Sequence, residues 1–180
     1  MEEITKIEFE LEGIAPIKMD KWLDLSQPKN DKGYMEQAKQ KTYTDEKGNI
    51  SIPADAIKAC MRNASSEVGK KMEGKKNRQT IKAQVFIHPL MLSTGKKKYD
   101  EIARDIAVRG KGDKVTRIPT YRPLIKDWKV SGVMTLFGVP FEFVKETLQL
   151  GGMRYGLLSH RPEFGRFIVK KFERVENGKK

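Results

Sequence analysis

Three stretches of this chain carry apolar residues at every second position, a fourth carries aromatics spaced among basic residues, and two carry apolar residues at every third or fourth position, which fixes most of what it can fold into. Ile7, Phe9 and Leu11 alternate with acidic residues in a half-exposed first strand that Gly13 and Pro16 end. Ile81, Ala83, Val85 and Ile87 make a second strand, closed by Pro89 with His88 at its end. Trp128, Val130, Gly132, Met134 and Leu136 make a third, and Phe164, Phe167, Val169 and Phe172, set among basic residues, a fourth with one buried side. Helical spacing joins Ile57, Cys60, Met61, Ala64 and Val68 after Pro53. It also joins Phe141, Val144 and Leu148 after Pro140, with Glu142 near the positive helix end.

The resulting order, βαββαβ, predicts an α+β fold: a ferredoxin-like or RNA-recognition-motif-like sheet backed by two helices. A hairpin turn is expected in DEKGN, between Thr42 and Ile52 and after the first strand, and a short helix over Tyr34–Lys41. A long, basic, irregular insertion, Leu92–Lys126, separates the second and third strands. At 180 residues, with no visible repeat, the chain is read as one domain. Gly69–Arg78 reads as a flexible basic loop, and the final ENGKK as a fraying tail.

The segment from Leu150 to Phe167, LGGMRYGLLSHRPEFGRF, reads as a helix stopped by glycine, a basic loop and then a strand. Glycines let a backbone approach a ligand, and free N–H groups beside arginines suit phosphates. A helix cap followed by a plain surface loop is the alternative.

Formal net charge is +12, and it is unevenly spread. Residues 1–60 hold nine Lys or Arg against twelve Asp or Glu; of the totals of 36 and 24, the remaining 27 and 12 lie beyond residue 60. A cationic surplus of this size points to a polyanion. No run approaches the roughly 18 apolar residues of a membrane span, Glu2 and Glu3 open the chain where a signal peptide would be basic, and no lipidation motif is present. The expectation is a cytoplasmic protein without a membrane partner. Cys60 is expected to be buried. One cysteine with the distant His88 and His160 supplies no metal cluster, and no cofactor is predicted.

The predicted single-strand contacts are Arg62, Lys70, Lys71, Arg117, Arg122, Lys126, Arg154, Arg161 and Arg166 on phosphates, with the backbone of Gly151, Gly152 and Gly156 as a seat. Tyr121, set with Arg117 and Arg122 between Pro119 and Pro123, and Tyr155 would stack bases. Trp22, beside Lys18 and Lys21, is read as pinning a loop onto the body, with base stacking as the alternative.

Several motifs together resemble a family. Gly13 to Pro16 ends the first strand, Ile52-Pro53 precedes a helix, and Arg122-Pro123 is followed by Trp128. Gly152 and Gly156 are followed by Arg161-Pro162, Gly165 and Phe167. The set resembles small proteins encoded in phages and prophages. Through them it is similar to the repeat-associated mysterious proteins, the backbone subunits of CRISPR effector complexes. The resemblance implies a glycine-rich loop before the last strand and a thumb-like insertion, positions taken here by Gly151–Gly165 and Leu92–Lys126. Leu157, Leu158 and Ser159 stand where the family usually has a further glycine. The resemblance also implies a non-enzymatic protein that oligomerises along DNA or RNA, in the host cytoplasm if phage-encoded. The alternatives are a metal-independent endoribonuclease using His160, as in CRISPR repeat processing, and a structural mimic that docks on a host effector complex.

Overall fold

The computed structural model describes residues 3–26, 28, 30–69, 73–110 and 115–175. Strand β1 (Ile4–Gly13) is the axis of the fold, with Ile7, Phe9 and Leu11 fully buried on one side as its alternation requires. After the two-residue β2 (Ile17–Lys18) come helix α1 (Asp31–Ala38), β3 (Ser51–Pro53), α2 (Ala54–Ala64) and α3 (Gly74–Gln84). Strands β4 (Val85–His88), β5 (Met91–Ser93), β6 (Glu101–Arg109), β7 (Thr116–Ile125) and β8 (Lys129–Phe137) follow, then α4 (Phe141–Leu150) and β9 (Phe167–Arg174).

The main sheet has the order β4-β8-β1-β9 with every neighbouring pair antiparallel, and it is ferredoxin-like. Ile57, Cys60 and Met61 of α2 and Val144 and Leu148 of α4 share one core with Phe9, Met134 and Leu136. Burial pushes the Cys60 thiol up to about 12, so it is an inert core residue. A register shift between Glu10 and Leu11 lets β9 bury both Phe167 and Phe172, which plain alternation would send to opposite faces. The expected turn is present: the Asp45 carboxylate accepts from the backbone of Lys47 and Asn49, and Thr44 bridges Ile50.

Four expectations are corrected. Gly74–Gln84 is helix α3, so Gly69–Arg78 is not all loop and the second strand starts at Val85 rather than Ile81. Ile81 and Val85 are four apart, a spacing that serves a helix as well as alternation does. The Leu92–Lys126 insertion is regular: β6 and β7 form a long antiparallel hairpin, and β2 extends it into a second sheet, β2-β7-β6. Its prolines are compatible with a strand. The Pro123 carbonyl accepts from Met19 on the β2 side, so its missing N–H faces away from β6. Pro119, four residues earlier, shares that parity. The short helix is Asp31–Ala38, capped by the Asn30 side chain on Gly33, not Tyr34–Lys41.

The fourth concerns the glycine segment. Gly151 is helical at φ −57° and ψ −46°, and α4 continues as a π-helical turn, Gly151–Tyr155, closed by Gly156 N–H on the Gly151 carbonyl at 3.0 Å. The helix stops at Gly156, whose φ of 69° and ψ of 179° belong to glycine alone.

Candidate nucleic-acid interface

A lysine the sequence placed in a loop holds the candidate site together. Lys18 is 4% exposed between Ile17 and Met19. Its Nζ donates to both Asp105 oxygens of β6, at 2.8 and 3.0 Å, and lies 4.0 Å from the Phe164 ring centroid. Arg122 Nη1 and His160 Nε2 also face Asp105, at 3.7 and 3.8 Å. Arg122 Nε donates to Asp20 at 2.8 Å, and Lys41 donates to the other Asp20 oxygen at the same distance. Burial alone would raise the Asp20 pKa, but the Lys41 hydrogen bond and the charges of Arg122 and Lys41 prevail and hold it below its usual value. Asp105 thereby ties the β6–β7 hairpin to β2 and to the loop after the π turn, where Ser159 bridges Lys18.

Two open depressions flank this tie. One, of about 330 Å³, is bordered by Trp22, Tyr34, Lys41, Tyr121 and Arg122. The other, of about 530 Å³, is bordered by Asn63, Arg154, Tyr155, His160 and Arg161. Arg122 belongs to the first and His160 to the second, so Asp105 links them. The Tyr121 hydroxyl donates to Asp31 at 2.6 Å and accepts from Arg104 at 3.0 Å. Tyr155 donates its hydroxyl to Glu67, which also accepts from Arg154 at 2.8 Å. That hydrogen bond raises the Tyr155 pKa, with burial adding to it, and is the first cause of the lowered Glu67 pKa.

Of the residues singled out from sequence, the structure brings together Arg154, Tyr155 and Arg161 in one depression, with His160, and Tyr121 and Arg122 in the other. Arg62 is exposed in the last turn of α2, beside Asn63. Arg117 is exposed on β7, and Lys126 pairs with Glu101 at 3.2 Å at the hairpin root. Arg166 is half-buried, and its Nε has no hydrogen-bond partner among the described residues. Lys70 and Lys71 lie outside the described residues.

The glycines do something other than expected. Gly151 and Gly152 are buried, Gly151 against Cys60 and Gly152 against Phe167. The N–H groups of Gly151, Gly156 and Gly165 all donate to protein carbonyls, those of Leu148 and Thr147, Gly151 and Pro16. These three N–H groups are therefore spent within the protein and do not form a backbone cradle. Trp22 is 78% exposed rather than packed onto the body. Lys18, Asp20, Lys41, Asn63 and Asp105 were not foreseen; the only signal was a lysine flanked by Ile17 and Met19 where an amphipathic edge would put an apolar residue.

Among the described residues no His, Cys, Asp or Glu group is arranged to hold a metal, and no helix is long and apolar enough to cross a membrane. No family profile and no curated protein matches the chain. A chain in the cryo-EM structure of the Type III-B Cmr-beta bound to cognate target RNA is similar in fold, with a TM-score of 0.56 and 12% identity. The match covers 96% of this chain and 61% of that one, so this chain spans about three fifths of its length.

Proposed function

We propose that this protein binds single-stranded nucleic acid, RNA or DNA, without cleaving it, and assembles along the strand as a CRISPR-effector backbone subunit would. The observation that carries this reading is the track of Arg122, Arg161 and Arg154, residues from two distant parts of the chain, running between two depressions that each hold an aromatic side chain. Cations spaced along a groove with rings beside them suit a flexible strand better than a duplex. Similarity to a Cmr-beta chain solved with target RNA supports RNA as ligand and a multi-subunit setting. Against an endoribonuclease, one histidine serves one proton transfer, and Tyr155, held above its usual pKa by Glu67, is a poor second acid.

The test is binding of single-stranded and duplex oligonucleotides as salt is varied. Affinity for single strands should fall about a hundredfold or more between roughly 50 and 200 mM salt if several phosphates are neutralised. Arg161→Ala should lower the salt slope by about one. His160→Ala should leave binding nearly intact. Equal retention of duplex and single strand, or cleavage that His160→Ala abolishes with binding preserved, would overturn the reading.

A further inference from the structure

The two tryptophans of this chain have opposite surroundings. Trp128 is 1% exposed, with its Nε1 donating to the Ala15 carbonyl at 2.9 Å. Trp22 is 78% exposed, at the border of a groove of about 330 Å³ between the segment after β2, helix α1 and the edge of β7. That edge is open because β2 pairs only with Leu124 and Ile125. The groove combines the Trp22, Tyr34 and Tyr121 rings with Lys21, Lys41 and Arg122, three cations against the single carboxylate of Asp20. Tyr121 is anchored through its hydroxyl by Asp31 and Arg104, and Arg122 is clamped by Asp20, so two sides of the groove are held in place before any ligand arrives.

We infer that this groove seats one unstacked nucleobase of the bound strand on the Trp22 indole, with the adjoining phosphate on Lys21. The inference rests on the proposed single-strand binding and names where a base, as opposed to the backbone, is held. An exposed indole offers a face on which any base stacks, and the surplus positive charge at the rim matches a sugar-phosphate chain. Arg122, shared with Asp105, leads from this groove toward His160 and Arg161, so the same strand continues into the second depression. A second copy of the chain is a poorer occupant. The exposed apolar residues of its hairpin, Ile106 and Val108, share a sheet face with Arg104 and Arg117, which would bring cations to a groove that already carries a surplus of them. Stacking reads no base edge, so the site should accept all four bases with little preference.

Tryptophan fluorescence of the full chain tests this, because Trp128 is enclosed and contributes a constant background. The probes are an oligouridylate about 20 nucleotides long and an abasic ribose-phosphate strand of equal length and charge, which keeps the phosphates and removes the stacking faces. Oligouridylate should quench the exposed component and the abasic strand should not. Trp22→Ala should weaken oligouridylate binding roughly tenfold to a hundredfold and leave abasic binding unchanged, while Trp22→Phe should keep most of the affinity. Lys21→Gln should lower the salt slope by about one for both strands.

Unchanged oligouridylate affinity in a folded Trp22→Ala protein would overturn the inference while the proposed function stands. Equal weakening toward both strands would also overturn it, as would a change in sedimentation of Trp22→Ala without any strand, which would make the groove a seat for a second copy. Failure of the parent protein to bind either strand would remove the proposed function and this inference with it.

Discussion

The Lys18–Asp105 pair is where single residues decide most. A lysine side chain 5% exposed depends on its counter-ion, and Asp105, at 22%, keeps some access to water. The two sides of the pair are therefore unequal. Asp105→Ala strands a buried ammonium and also removes the anion facing Arg122 and His160; it should cost on the order of 3 kcal/mol in urea unfolding. Lys18→Met keeps the stem packed near Phe164 and leaves Asp105 with Arg122, so it should cost about 1 kcal/mol or less. Equal costs would mean that packing, not charge, holds the hairpin. Asp20 adds a pH dependence of known sign. Its folded pKa lies below the ordinary value of 3.8, so its stabilising contribution is complete above that value and is lost as pH falls through the lower, folded pKa. An Asp20→Asn protein should lack this part of the acid loss, read as a flatter melting-temperature profile below about pH 4.

At the scale of elements, α4 and its π turn set the limits on what glycine substitutions can report. A Cβ on Gly152 would lie 2.7 Å from the Phe167 ring, and one on Gly156 would lie 2.6 Å from the Phe164 carbonyl in a backbone region closed to other residues. Gly152→Ala and Gly156→Ala should each destabilise by about 1–3 kcal/mol in thermal melts, through overpacking at the first and backbone strain at the second. Weakened binding in such variants would report damaged structure rather than a missing phosphate seat. The sequence made the first and third strands and both core helices legible because each buries one face, and burial of one face writes a period into the residues. The second strand reads four residues too early, into α3, and the fourth three residues too early, at Phe164, its period broken by a register shift. It could not show that Gly151 continues the helix, since two glycines read the same whether they end a helix or admit a neighbouring chain. The β6–β7 hairpin was hidden for a related reason: one face of its outer half, with Arg104, Ile106 and Val108, is exposed, and the other, with Asp105, Ala107, Ile118 and Thr120, is only half-buried, so neither writes a core pattern. The Asp105 tie joins residues 87 apart, a separation no local pattern reports.

The whole molecule divides into a core that folds by burial and a hairpin that reaches beyond it. The core cluster takes Ile125 from the root of the hairpin and nothing from β6 or the outer part of β7. The outer part exposes Ile106 at 62%, Val108 at 64% and Val115 at 49%. Ala107 lies opposite Ile118, and because Pro119 and Pro123 face away from β6 this pair is a hydrogen-bonded one, so the chain between Ala107 and Ile118 can be replaced by an Asn-Gly turn without disturbing Asp105, Tyr121 or Arg122. This shortened protein should keep its melting temperature to within a few degrees, since the main sheet keeps all of its buried packing. The removed stretch, Val108–Arg117, holds Arg109, Lys111, Lys114 and Arg117 against one acid, Asp113. If those cations meet phosphate, the salt slope for single-strand binding should fall by about one for each phosphate no longer neutralised. If the tip also reaches a neighbouring copy on the strand, sedimentation should show single bound proteins where the parent gives extended assemblies. A shortened protein that binds with the parent's salt slope and still assembles would confine the interface to the Asp105-linked track and leave the outer hairpin without a part in either.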